Sequence, residues 1–279
     1  MASTRADIGI IGGSGFYSFL PGGSRVEVET PFGAPSAPIT LGEMGGRRVA
    51  FLPRHGERHQ FAPHRVNYRA NLWALKALGV SRVLSACAVG SLQPSLQPGT
   101  FVVPDQVVDR TYRPGHTVWE ADGPVVHVPF ADPYCPATRE VFLTAEGGQA
   151  PLIDGGTMVV INGPRFSSRA ESQWHAAAGW SVVGMTGMPE ASIARELALC
   201  YATVCCVTDM DAGAEGEAGV RAGDVKAVFA SNIGRLKRLL ERAVTVEPAQ
   251  ACECAHAVDG LPLPFPLPTV GDGIGPVLG

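Results

Sequence analysis

The sequence predicts an α/β fold in which helices flank a central β-sheet. Three observations carry this. Short β-branched runs alternate with helix-spaced segments through the second half of the chain. The runs end at glycine or proline, and the helical segments carry start and stop residues of their own. Hydrophobic residues make up 46% of the chain and charged residues 17%, which supplies a sizeable core and argues against bulk disorder. A chain of 279 residues suits one large domain or two small ones. We read a single domain over 1–247, followed by an extended Pro/Gly-rich tail over 248–279 that has no periodicity.

Residues 7–11 form a β-branched run that enters the glycine turn GGSG at 12–15. Strands follow at 26–29, 39–44 and 48–52, each between Gly and Pro punctuation. Over 68–78, Leu72, Trp73, Leu75 and Leu78 recur at helical spacing, and Gly79 closes the helix. A buried strand is expected over 82–88 and another over 101–108. Residues 136–146 read as a helix and 157–161 as a strand. Ser168 and Glu171 make a capping box at the head of a helix over 168–178. A strand at 181–185 precedes a helix over 189–199 with Pro189 in its first turn. The last pair is a strand over 201–208 and an amphipathic helix over 224–244.

Net charge is −4, so no basic excess suggests nucleic acid and no polybasic run suggests a membrane surface. No apolar stretch approaches the roughly 18 residues of a membrane span. The start is short and polar, and a cytoplasmic location is expected. Seven cysteines, an odd count, read as reduced core thiols. Cys252, Cys254 and His256 lie close together, but a closed zinc site wants four ligands and no second ligand pair accompanies them. No metal is expected, and the segment reads as a tail with exposed thiols.

Two motifs point to chemistry. Backbone N–H groups of the turn at 12–15 can converge on an anion, with the Ser14 hydroxyl as a further donor. A dinucleotide fingerprint fits less well, because serine stands where its third glycine belongs and no helix follows. Arg54 and His55 stand just past a strand end, where ligands collect in α/β sheets. Arginine offers a bidentate fork to phosphate oxygens, and histidine a further donor. Asp209 and Asp211 follow the strand at 201–208, and residues two apart on extended chain project to one side.

Five segments in order, IIGGSG at 10–15, PRHG at 53–56, VNYRAN at 66–71, GPRFSSRAES at 163–172 and TDMD at 208–211, resemble the 5'-methylthioadenosine phosphorylases. The resemblance covers roughly residues 7–245 and rests chiefly on the long 163–172 string. It implies one domain with a twisted mixed sheet. It also implies phosphorolysis of a purine nucleoside, with inorganic phosphate as co-substrate and no cofactor, in purine and methionine salvage. Phosphate is expected on Ser14, Arg54, His55, Cys87, Ala88 and Thr186. Cys87 departs from the usual threonine, and a thiol is the weaker donor. The resemblance places the ribose on Met185, the purine against Phe166, and the purine edge on Asp209 and Asp211 as the catalytic pair. Aspartate at 209 fits a 6-amino base, where 6-oxopurine relatives carry asparagine. Val225 is expected at the 5' group, with His127 lent by a neighbour in a homotrimer. The nearest alternatives are a phosphorylase of inosine or methylthioinosine, or of another 5'-substituted adenosine such as a 5'-halo compound. A nucleotide-binding oxidoreductase would bind a nicotinamide cofactor, which is not expected, and a non-catalytic scaffold would need none of Arg54, His55, Asp209 and Asp211.

Overall fold

The computed structural model describes residues 4–13, 15–16, 19–120, 122–145, 152–212 and 219–278. The chain opens with β1 (Ile8–Gly12), β2 (Ser24–Val28), β3 (Ile39–Met44) and β4 (Arg47–Pro53). Then come α1 (Tyr68–Ala77), β5 (Arg82–Ser91), β6 (Phe101–Val103), β7 (Gln106–Arg110) and α2 (Pro136–Ala145). They are followed by β8 (Leu152–Asp154), β9 (Thr157–Ile161), α3 (Arg169–Ala177), β10 (Val182–Gly184) and α4 (Gly187–Glu196). The last elements are β11 (Cys200–Asp209), α5 (Ala222–Thr245) and β12 (Ile274–Leu278).

The strands join one mixed sheet in the order β12-β2-β3-β4-β1-β5-β10-β9-β7, with β11 pairing β5 and β6, and β8 beyond β6. β1 is parallel to β4 and β5, and every residue of β1 is buried. Such strands need apolar cover on both faces. α1 and α4 pack together on one side, and α2 and α5 on the other. The capping box forms as expected, since Glu171 N donates to Ser168 Oγ and Ser168 N to the Glu171 carboxylate.

β5 is the central strand. β11 runs along one edge of it from Arg82 to Gly90. The opposite edge is shared: β1 pairs with residues 82–85 and β10 with Gly90 and Ser91. Between those two partners the β5 edge at residues 86–89 has no ladder strand among the described residues, and the sheet opens there. This split creates the cavity described below.

Three expectations change. The strand expected over 101–108 is broken into β6 and β7 at Pro104 and Asp105, because proline has no N–H for the ladder and the Asp105 carboxylate takes up Gly156 N instead. α4 is counted from Gly187, but Met188 and Pro189 leave helical dihedrals, so its regular turns begin at Glu190. The tail is part of the body. Leu263, Phe265 and Leu267 alternate with prolines and pack on the core, Phe265 against Trp73 and Trp119 at ring distances of 6.0 and 5.0 Å. β12 then pairs with β2 and extends the sheet. The segment therefore has a period of two, the spacing of extended chain. Its thiols are not exposed either, since Cys254 is buried and Cys252 half-buried.

Candidate active site

A cavity of about 250 Å³ lies in the gap beside β5. Its walls combine the ends of β1, β4, β5, β10 and β11 with the first turn of α5 and the loop before α3. Of the residues expected to act, Arg54, His55, Cys87, Ala88, Phe166, Met185, Thr186, Asp209, Asp211 and Val225 all line it. Ser14 lies outside the described residues. His127 is exposed and does not line this cavity.

Arg54 is only 1% exposed. Its Nε and Nη2 donate to the two oxygens of Glu190 at 2.6 and 2.9 Å, Nη2 also to Ser85 Oγ at 2.7 Å, and Nη1 to the Ala86 carbonyl at 3.0 Å. The fork expected to clasp phosphate is thus occupied by Glu190. Four of the five guanidinium donors have partners among the described residues, and the fifth, on Nη1, faces the glycine turn. A Cβ at Gly13 would sit 3.3 Å from Nη1 and 3.2 Å from the Ala86 carbonyl, so a larger residue would press on both. Burial alone would lower the Arg54 pKa, but the Glu190 carboxylate outweighs it and the group is held more firmly cationic than a free arginine.

Glu190 was not among the expected residues. It is 1% exposed, and Oε1 also accepts from Ser85 Oγ and Tyr201 Oη at 2.9 and 2.8 Å. Its only sequence signal is an acid after Pro189 in the first turn of a helix, which reads as a dipole partner. The same holds for Arg113, buried and bonded through Nη2 to the carbonyls of Ile161 and Met185 and through Nη1 to that of Pro63. It ties the Met185 backbone to two other walls of the cavity.

His55 Nδ1 lies 2.8 Å from the Phe61 carbonyl, which can only accept, so Nδ1 carries the hydrogen. Burial, and after it the Arg54 charge, lowers its pKa to about 4. The ring is therefore neutral at pH 7, and Nε2 presents a lone pair. His55 is an acceptor toward the cavity, where a second donor was expected. Hydrogenphosphate, which keeps one P–OH, suits it. Cys87 Sγ turns to its neighbours across β11, Thr203 Oγ1 and Cys205 Sγ, both at 3.7 Å.

At the other end stand the two aspartates. Asp209 is the last residue of β11, and Asp211 N donates to its Oδ1 at 3.0 Å. Asp211 has φ = 47°, so the pair meets through a left-handed turn, not by alternation on extended chain as expected. Burial raises the Asp209 pKa, and Asp211 adds to this, against hydrogen bonds from Thr208 and the Asp211 backbone. Thr208 Oγ1 lies 3.1 Å from the Val89 carbonyl and 2.7 Å from Asp209 Oδ2. One hydroxyl hydrogen cannot serve both, so both contacts hold at once when Asp209 carries a proton. Asp211 is buried and its Oδ2 has no hydrogen-bond partner among the described residues. Ser167 Oγ, buried in the same wall, has none either. A buried acceptor without a donor is costly and marks a place for a ligand N–H.

Gly90 makes this arrangement possible. A Cβ there would fall 2.9 Å from Asp209 Oδ1 and 3.3 Å from Asp211 Cβ. Gly90→Ala should therefore displace both carboxylates and cut kcat/KM more than tenfold while the fold survives. Steady-state rates and circular dichroism check it, and wild-type rates would show that the pair tolerates movement.

The phosphorylase superfamily model matches residues 7–245. A purine nucleoside phosphorylase of Streptomyces coelicolor is 54% identical over 275 residues, covering 95% of this chain and 98% of the relative. An S-methyl-5'-thioadenosine phosphorylase of Mycolicibacterium smegmatis is 56% identical over 263 residues, covering 94% and 99%. Among solved structures, a methylthioadenosine phosphorylase from an antarctic soil metagenomic library superposes with a TM-score of 0.86 at 40% identity, covering 93% of each chain. One from Schistosoma mansoni in complex with adenine gives 0.81 at 39% identity, covering 86% and 91%.

Proposed function

The chain belongs to the phosphorylase superfamily, and from that premise we propose that it cleaves 5'-methylthioadenosine with inorganic phosphate. The products are adenine and 5-methylthioribose 1-phosphate. The observation that carries this reading is one cavity with a cation and a neutral histidine at one end and a raised-pKa aspartate beside an unpartnered buried carboxylate oxygen at the other.

Hydrogenphosphate lies against the free Nη1–H of Arg54, the Ala88 backbone and Thr186, and gives its P–OH hydrogen to His55 Nε2. Ser14 is proposed as a further donor and Cys87 as packing beside them. An oxygen of this anion forms the new bond to the anomeric carbon as the bond to purine N9 breaks. The oxocarbenium-like transition state is stabilised by the anion beneath it. Met185 covers the ribose and Phe166 the purine ring. Protonated Asp209 turns its proton from Thr208 Oγ1 to N7, so adenine leaves neutral, and the Thr208 hydroxyl then donates to the carboxylate left behind. Asp211 Oδ2 accepts from the 6-amino group, which supplies the missing donor. A 6-oxo base would set its oxygen against that carboxylate, so inosine is disfavoured. Val225, on the first turn of α5, offers an apolar contact to a methylthio group where a 5'-hydroxyl would want water. The reaction places the enzyme in purine and methionine salvage.

Initial rates on methylthioadenosine, adenosine, inosine and methylthioinosine test the assignment, with methylthioadenosine expected to have the highest kcat/KM. No adenine should form in phosphate-free buffer. Equal release without phosphate would make the enzyme a hydrolase. We further propose a cytoplasmic homotrimer in which His127 of a neighbouring subunit completes the 5' pocket. No described helix is long and apolar enough to cross a membrane. Light scattering should give three chains per particle, and a fully active monomer would remove the role of His127.

A further inference from the structure

Four cysteines from three separate segments of the chain meet at the end of β11 remote from the aspartates. Cys135 immediately precedes α2, Cys200 begins β11, and Cys252 and Cys254 come from the tail. Their sulfurs all lie within 4.8 Å of one another, with Cys200 and Cys252 at 3.3 Å. Cys135 and Cys254 are buried, and Cys200 and Cys252 half-buried. Asp209 stands nine residues along the strand from Cys200, roughly 30 Å at the rise of extended chain. The cluster is separate from the nucleoside cavity.

We propose that these four thiols bind one zinc ion in a closed structural site that fastens the tail to the body of the enzyme. The donor set is four soft sulfurs and no oxygen, which suits zinc and excludes magnesium or calcium. Tetrahedral zinc with bonds of about 2.3 Å holds its sulfurs roughly 3.8 Å apart. The observed cluster is of that size. Disulfides would need it drawn into two close pairs. The second ligand pair that the sequence withholds from Cys252 and Cys254 is thus supplied by Cys135 and Cys200, from more than 50 residues upstream.

The surroundings favour bound thiolate. Thr138 N–H donates to Cys135 Sγ at 3.4 Å, and Cys135 sits at the N-terminal end of α2, where the helix dipole stabilises negative charge. Lys76, bonded to the Ala198 carbonyl at 3.3 Å, is close enough to Cys200 to interact electrostatically and offsets part of the doubly negative charge of a zinc tetrathiolate. Each thiol that binds releases its proton to solvent, and zinc undergoes no redox change. The ion joins the tail to α2 and β11 just ahead of the segment that carries Phe265 and β12.

The test uses the full chain, produced with zinc in the medium and kept reduced and free of chelators during purification. Elemental analysis should give about one zinc per chain. Removing it with a strong chelator should lower the melting temperature by several degrees, and added zinc chloride should restore it. Cys252→Ser/Cys254→Ser should purify without zinc while keeping kcat/KM on nucleoside. Reduced, zinc-supplied wild-type protein that contains no stoichiometric zinc overturns the proposal, as does an intact mass lacking four hydrogens, which would assign the cluster to two disulfides. Because the decisive readout is metal content of the wild-type chain, a variant that fails to fold leaves the test intact.

Discussion

Asp209→Asn should lower kcat on adenine nucleosides by about 10²- to 10⁴-fold, the usual contribution of general acid catalysis. Asparagine keeps the size of the side chain and an acceptor for Asp211 N, so the turn at the end of β11 should persist. What it loses is an ionisable proton at the position proposed to face N7. The sign of the pH dependence follows. The acid works only when protonated, and burial raises its pKa. Wild-type kcat should fall as pH rises through the Asp209 pKa, and the variant should lose that limb. A substrate that needs no protonation to leave, such as a nucleoside with a nitrophenol-like leaving group, should be spared. Full turnover of methylthioadenosine by the variant would remove Asp209 from the mechanism.

Glu190→Ala should lower stability by about 3–5 kcal/mol, because breaking a buried ion pair leaves the other charge uncompensated. Arg54 would keep its contacts to Ser85 and the Ala86 carbonyl but lose the carboxylate that holds both its Nε and Nη2. Tyr201 and Ser85 would lose an acceptor at the same time. Arg54 would then be free to move toward the cavity or out of it, so the phosphate KM should rise as stability falls. Nucleoside KM, set at the other end of the cavity, should change little. Glu190→Gln keeps acceptor oxygen without charge and should fall between. Chemical denaturation and phosphate titrations read the two effects separately. A stability change below about 1 kcal/mol would mean that the pair is replaceable by packing alone.

These two residues show how differently the site was legible. Asp209 follows an apolar strand in a short polar string, and a pair of acids there has few structural uses. Glu190 stands inside a helix, where an acid in the first turn has an ordinary explanation. Arg54 was visible as a cation near a strand end, but its orientation was not. Its fork is turned to a carboxylate 136 positions later in the chain. The tail was misread for a related reason. Alternation of leucine and phenylalanine with proline is an extended pattern, yet proline so suits mobile linkers that composition outweighed the spacing.

The sequence by itself determined the order and type of nearly every element, because periodicity, caps and glycine stops act over a few residues. It also named ten residues of the cavity wall, Arg54, His55 and the two aspartates from their place at strand ends and the others through the resemblance that its distinctive strings carry. The tertiary structure alone decided what long-range pairing controls. It set β1 and β10 on one edge of β5 and so opened the cavity. It buried Glu190 against Arg54, fixed the His55 tautomer through the Phe61 carbonyl, and joined Cys135 and Cys200 to Cys252 and Cys254. Each of these depends on groups brought together across the fold, and no local pattern records which distant group will arrive.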